Sequence, residues 1–169
     1  MTTFPLRRLH LRSGEERHDH VSIQLEPFEL GGERYLPVPD AVAADLAIQR
    51  ATGGDMFRLR FQVRLHGPCM RCLEDAVVDR PIEVSEYHEP GAADDELRSD
   101  YVADELLHLS AWARDAISFA LPDQILCRPE CAGLCPLCGR NLNLEPHEHE
   151  DEPGDTRWSV LEELRQSLE

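Results

Sequence analysis

Alternation of apolar and polar positions dominates the first half of the chain. Phe57, Leu59, Phe61, Val63 and Leu65 point one way and Arg58, Arg60, Gln62, Arg64 and His66 the other. This period of two is that of a strand with one buried face. His20 to Glu26 alternates in the same way, with Val21, Ile23 and Leu25 on one side. Thr52-Gly53-Gly54-Asp55 reads as a hairpin turn, so the otherwise ambiguous stretch Ala43–Ala51 is read as the strand that precedes it. Gly31-Gly32 marks another turn before a short strand at Tyr35–Val38, and Phe4–Leu9 holds at most one more. Ala76–Val78 and Ile82–Tyr87 form a strand returning from the turn at Pro68-Cys69-Met70-Arg71-Cys72.

The period lengthens in the second half. Ala113, Ala116, Ile117, Ala120 and Leu121 recur at helical spacing, Ser110 offers a cap, and Pro122 stops the run. A last helix is predicted behind Thr156, with Trp158, Leu161, Leu164 and Leu168 as its stripe. Tyr101–Leu109 is ambiguous, and Glu89–Asp100 reads as an acidic loop. The expected class is therefore α+β: mainly antiparallel sheet, a zinc-binding hairpin knuckle, and two or three short helices in the C-terminal half. Residues 1–144 are expected to form one zinc-stabilised domain, 145–155 an acidic linker, and 156–169 a helix packed on the domain or trailing it.

The six cysteines change this from a generic small sheet protein into a candidate metalloprotein. Cys69 and Cys72 sit in one Cys-x2-Cys turn, and Cys127, Cys131, Cys135 and Cys138 crowd into twelve positions. No apolar segment follows Arg7 and Arg8 as in a secretory signal, and no apolar run of about 18 residues could span a bilayer. A cytoplasmic setting is expected, where clustered Cys-x2-Cys pairs act as metal ligands more readily than as disulfides. A structural zinc ion takes four ligands, and a Cys-x2-Cys turn supplies two. Three partitions are open: Cys69/Cys72 with Cys135/Cys138, Cys69/Cys72 with Cys127/Cys131, or the four late cysteines together. Each leaves two cysteines over, read as buried apolar thiols. Nothing points to three ligands plus an open catalytic position. His147 and His149, within Glu145-Pro-His-Glu-His-Glu150, are read as solvated linker side chains. Cys135-Pro-Leu-Cys138 also resembles a dithiol oxidoreductase turn, but Gly139 and the residues after it start a helix poorly. No nucleophile–histidine–carboxylate order and no phosphate-binding glycine loop stands out, and no enzymatic activity is expected.

Charge bears on partners. The net charge is -16. Residues 1–85 carry 13 acidic and 11 basic side chains, a net of -2, whereas residues 86–169 carry 20 and 6, a net of -14. Every basic residue other than histidine is arginine. The acidic half argues against a generic nucleic-acid coat. Any RNA surface belongs to the N-terminal half, with Arg58, Arg60, Arg64 and Arg71 as candidates.

Cys69-Met-Arg-Cys72-Leu73-Glu74, Leu121-Pro122, Cys131-Ala-Gly-Leu-Cys135-Pro-Leu-Cys138-Gly-Arg-Asn-Leu-Asn143, Arg157-Trp158 and Leu161–Leu164 together resemble the YceD-like family. These are bacterial and plastid proteins needed for accumulation of large-subunit ribosomal RNA. The resemblance spans roughly residues 20–168 and is specific at the cysteine motifs. It implies a cytoplasmic, non-enzymatic part in processing or stability of that RNA, with the cysteines as functional residues. The implied partner is large-subunit RNA or its precursor; the acidic C-terminal half would also suit a basic ribosomal protein. A zinc-ribbon interaction module unconnected to ribosomes is the alternative.

Overall fold

In a computed structural model of the chain, residues 1–149 are described. They fall into two compact units, Met1–Cys131 and a second beginning at Ala132.

The first unit is built on an antiparallel sheet of six strands. β1 (Phe4–Pro5) lies outside it; β2 (Glu16–Gln24), β3 (Phe28–Leu30), β4 (Glu33–Pro37), β5 (Ala41–Arg50), β6 (Asp55–Pro68) and β7 (Asp75–His88) compose it. β6 is the central rail. One edge pairs with β7 along its whole length, from Asp55↔His88 to Pro68↔Asp75. The other edge pairs first with β5 and then, near its end, with β4. β2 closes the sheet beyond β5, and β3 beyond β4.

The alternation dictates which face is buried. Phe57, Leu59, Phe61, Val63 and Leu65 are all buried, and Ile23, Val42, Ala44, Leu46, Ile48, Val78 and Ile82 extend the same apolar layer. α1 (Leu109–Ala120) packs on β7 and β2 and adds Leu109, Trp112, Ala113, Ala116 and Ile117. Burying such side chains contributes roughly 1.5–3 kcal/mol each before chain entropy is subtracted, so this layer is the core. Gly67 lets β6 pass close over the buried Tyr35 ring: a Cβ there would lie 2.3 Å from Tyr35 Cδ1. The Tyr35 hydroxyl donates to the Pro68 carbonyl at 2.8 Å, fixing the strand end that leads into Cys69.

The helix content differs from the expectation. Among the described residues there is one α-helix, not two or three, and the remaining helical pieces are single 3-10 turns at Leu6–Arg8 and Asp95–Leu97. The ambiguous stretch after Asp100 is strand: β8 (Val102–Ala103) and β9 (Leu106–Leu107) form a hairpin that β1 joins. Its turn residues, Asp104 and Glu105, both have positive φ, 52° and 59°, as a primed hairpin turn demands. That backbone preference outweighs any helical reading of the segment. The helix predicted at 156–168 lies outside the described residues. Ser110 is not the cap of α1 either; its hydroxyl accepts from Thr2 N–H at 2.8 Å and donates to the Gln24 carbonyl at 2.9 Å, anchoring the N-terminus to β2.

Candidate metal centres

The β6–β7 hairpin ends in the first knuckle. Cys69 N–H donates to the Glu74 carbonyl at 2.7 Å, and Leu73 N–H donates to the Cys69 carbonyl at 2.9 Å. Leu73 takes a positive φ of 62° to close this turn, a conformation that costs a side-chain-bearing residue about 1–2 kcal/mol. The chain after α1 returns to the knuckle. Met70 N–H donates to the Ile125 carbonyl at 2.8 Å, and the Arg71 guanidinium donates to the Cys131 carbonyl at 3.1 Å and to Gln124 Oε1 at 3.2 Å. These bonds bring Cys127 and Cys131 over Cys69 and Cys72.

The four sulfurs all lie within 4.8 Å of one another. Cys69–Cys131 and Cys72–Cys127 are 3.7 and 3.6 Å apart. A disulfide would require about 2.05 Å, whereas four thiolates about 2.3 Å from a central ion sit about 3.8 Å from one another. Cys69, Cys72 and Cys131 are buried and Cys127 is exposed. Burial by itself would raise the Cys69 thiol, but the backbone N–H groups of Arg71, Cys72 and Cys127 aimed at its sulfur outweigh that and bring it down to about 6. Burial dominates at Cys72 and pushes its thiol up. The donors and their N–H support suit a metal ion bound by thiolates. Of the three partitions open from spacing, this is Cys69/Cys72 with Cys127/Cys131.

The second unit repeats the turn. Cys135 N–H donates to the Arg140 carbonyl at 2.8 Å, Gly139 N–H donates to the Cys135 carbonyl at 2.8 Å, and Gly139 has φ +71°. These are the same two bonds and the same positive-φ position as in the first knuckle. Backbone N–H groups of Cys138 and Leu137 hold the Cys135 thiol down, to about 6. Asn141 Oδ1 accepts from Asn143 N–H and Nδ2–H at 3.0 and 2.8 Å, and Asn143 Oδ1 accepts from Ala132 N–H at 2.9 Å. The Gly-Arg-Asn-Leu-Asn run thus latches its own loop.

Cys135 is buried, as expected of a leftover thiol, but Cys138 is exposed. Their sulfurs stand with His147 and His149, all four donor atoms within 4.8 Å of one another. His147 Nε2 is 3.1 Å from Cys138 Sγ, and His147 Nδ1 is 2.7 Å from the Glu145 carbonyl. In sequence, acids surround both histidines, which favours the solvated reading. The available signal was their spacing, Cys-x2-Cys-x8-His-x-His, which returns two imidazoles to the knuckle.

The arginine face is largely engaged. Arg60 pairs with Glu83 across β6 and β7 at 2.6 Å, and Arg64 with Asp79 at 2.7 Å. Arg71 belongs to the first knuckle, as above. Arg58 has no ion pair among the described residues; it borders a shallow cavity with His18, Asp19, His20, Asp45 and Arg60. Among the described residues no helix is long and apolar enough to cross a membrane.

A sequence model of the family described as large ribosomal RNA subunit accumulation protein YceD matches residues 57–165. The chain is 32% identical to an uncharacterised protein of Mycobacterium tuberculosis over 96% of its own length and 80% of the relative's. A protein of Mycobacterium bovis gives the same figures. One from Mycobacterium leprae is 29% identical over 57% of this chain and 46% of its own. No solved structure matches. The family match begins in β6 and runs through both knuckles, and the chain belongs to the family of the large ribosomal RNA subunit accumulation protein YceD.

Proposed function

We propose that the protein is a non-enzymatic factor promoting the accumulation, processing or stability of large-subunit ribosomal RNA, folded around a structural zinc ion held by Cys69, Cys72, Cys127 and Cys131. The observation that carries the reading is the family match across residues 57–165. Zinc follows from donor chemistry: four thiolates at tetrahedral spacing form a closed structural set, with no position left for water or substrate. The alternative of dithiol redox chemistry loses support because Cys138 leads into Gly139 and a latched loop rather than a helix.

The partner we favour is a basic ribosomal protein. Residues 86–169 carry a net charge of -14, and such a field attracts a cationic partner and slows approach to phosphate. Arg60 and Arg64, the arginines best placed for RNA, already face carboxylates.

Depletion of the protein tests the function. Mature large-subunit RNA falls relative to small-subunit RNA, and a Cys72→Ser copy fails to restore it; normal large-subunit RNA after depletion overturns the reading. Crosslinking in cells tests the partner, with enrichment of a basic ribosomal protein as the expected result. If RNA is captured directly instead, and Arg58→Glu with Arg60→Glu lowers that capture, the sheet face is the binding surface and the protein partner is wrong.

A further inference from the structure

The geometry points to a second metal centre, separate from the first, in which Cys135, Cys138, His147 and His149 hold one divalent ion of the zinc class. All four donors belong to the second unit, and none is shared with the buried cysteine cluster.

Three observations carry this. The turn at Cys135–Arg140 reproduces the Cys69–Glu74 turn bond for bond, down to the positive φ at its fifth residue. Such a turn aims two sulfurs at one point. His147 is held in a ligand's posture: Nδ1 is tied to the Glu145 carbonyl at 2.7 Å, which fixes the tautomer and leaves Nε2 as the basic nitrogen. That Nε2 lies 3.1 Å from Cys138 Sγ. His149 completes the set, its ring set edge-on to that of His147 at a centroid separation of 4.9 Å. Two solvated linker histidines have no reason to converge on two thiols in this way. Two thiolates and two imidazoles are a donor set for zinc, and harder ions such as magnesium and calcium prefer oxygen.

Cys138 and His149 are exposed, and Cys135 is the one donor of this set that is buried. The ion held here therefore exchanges with solvent more readily than the first. The inference stands apart from the ribosomal reading, since its test reads metal and not RNA.

The test uses the full chain loaded with Zn2+, freed of excess metal by gel filtration, and assayed for zinc per polypeptide. Two ions per chain are expected, falling to one in His147→Ala/His149→Ala with far-ultraviolet circular dichroism unchanged. His147→Cys/His149→Cys is expected to keep two. A brief challenge of the wild-type protein with a chromophoric chelator removes one ion quickly and the second slowly. One ion per chain in the wild type, or two in the double alanine variant, overturns the proposal.

Discussion

At Cys69–Cys72 the knuckle is the tip of the β6–β7 hairpin, whose register runs unbroken from Asp55↔His88 to Pro68↔Asp75, and three of its four donors are buried. At Cys135–Cys138 the same turn stands in a loop latched by two asparagines, and one donor of four is buried. The turn itself is local, fixed by two backbone hydrogen bonds within six residues. What differs is the pair that closes it: two cysteines on a segment bonded back to the hairpin in one case, two histidines nine and eleven residues further on in the other. A shared turn therefore says how two sulfurs are presented and nothing about which distant residues complete the site. The first cysteine cluster is built into the fold of its unit; the second cluster closes within one loop.

The largest expected effect tests that contrast directly. Structural zinc sites of this kind contribute about 10–16 kcal/mol of apparent binding free energy in small domains, much of it folding free energy. Cys72→Ser is expected to empty the first centre and cost the first unit at least about 4 kcal/mol, read as a melting point lower by about 10 °C. The His147→Ala/His149→Ala variant should leave that transition in place. Equal losses of stability in the two variants would erase the distinction.

Next in size is the support beneath the first knuckle. Gly67→Ala drives a methyl group to 2.3 Å from the buried Tyr35 ring, and overpacking of this kind costs about 1–3 kcal/mol. Because Tyr35 also holds Pro68, the first ion should be surrendered to chelators faster, and the second at an unchanged rate. An unchanged melting point would show that the strand relaxes freely there.

The fifth residue of each turn gives a reciprocal test. Leu73 is exposed and carries a positive φ that Gly139 adopts without penalty. Leu73→Gly is expected to be neutral or stabilising by up to about 1 kcal/mol, since relief of backbone strain offsets the gain in unfolded-state entropy. Gly139→Leu carries the strain into the second turn; no atom stands within 4 Å of its Cβ position, so the cost of about 1–2 kcal/mol is backbone alone. It should appear as weaker zinc retention at one of two sites. Denaturant titration and zinc competition measure the two arms.

How much of this was legible in the sequence follows the same divide between local and distant. β6 could be read residue by residue, because alternation is a local consequence of one buried face. The hairpin turn at Cys69–Cys72 was legible for the same reason. The Asp104–Glu105 turn was not, since neither residue advertises a positive φ as glycine does. Ser110 looked like a cap but serves Thr2 and Gln24, partners 108 and 86 residues away. The closure of the first centre by Cys127 and Cys131 depends on Met70 and Arg71 bonding to Ile125, Gln124 and Cys131, contacts that no spacing rule encodes. The spacing of His147 and His149 marks them as candidate ligands, but the acidic residues around them mask it.

The smallest effect separates the sheet from the metals under acid. Falling pH would strip metal from both proposed centres, since protons compete for thiolate and imidazole donors, and this would hide the response of the sheet. Asp79 isolates it. Hydrogen bonds from Arg64 and then Gln62 hold its carboxyl below the ordinary carboxylate range. A carboxyl depressed in the folded state contributes stability that is present above its unfolded value and lost as pH falls through the folded one. Asp79 is on the exposed face, so the contribution is small and salt-sensitive. Asp79→Asn should lower the melting point slightly at neutral pH, leave both ions bound, and flatten the remaining decline below about pH 4. It also frees Arg64 from its partner. If RNA capture then rises while zinc content stays constant, the arginine face binds RNA once its carboxylates are removed, and pairing, rather than position, is what keeps it silent in the wild type.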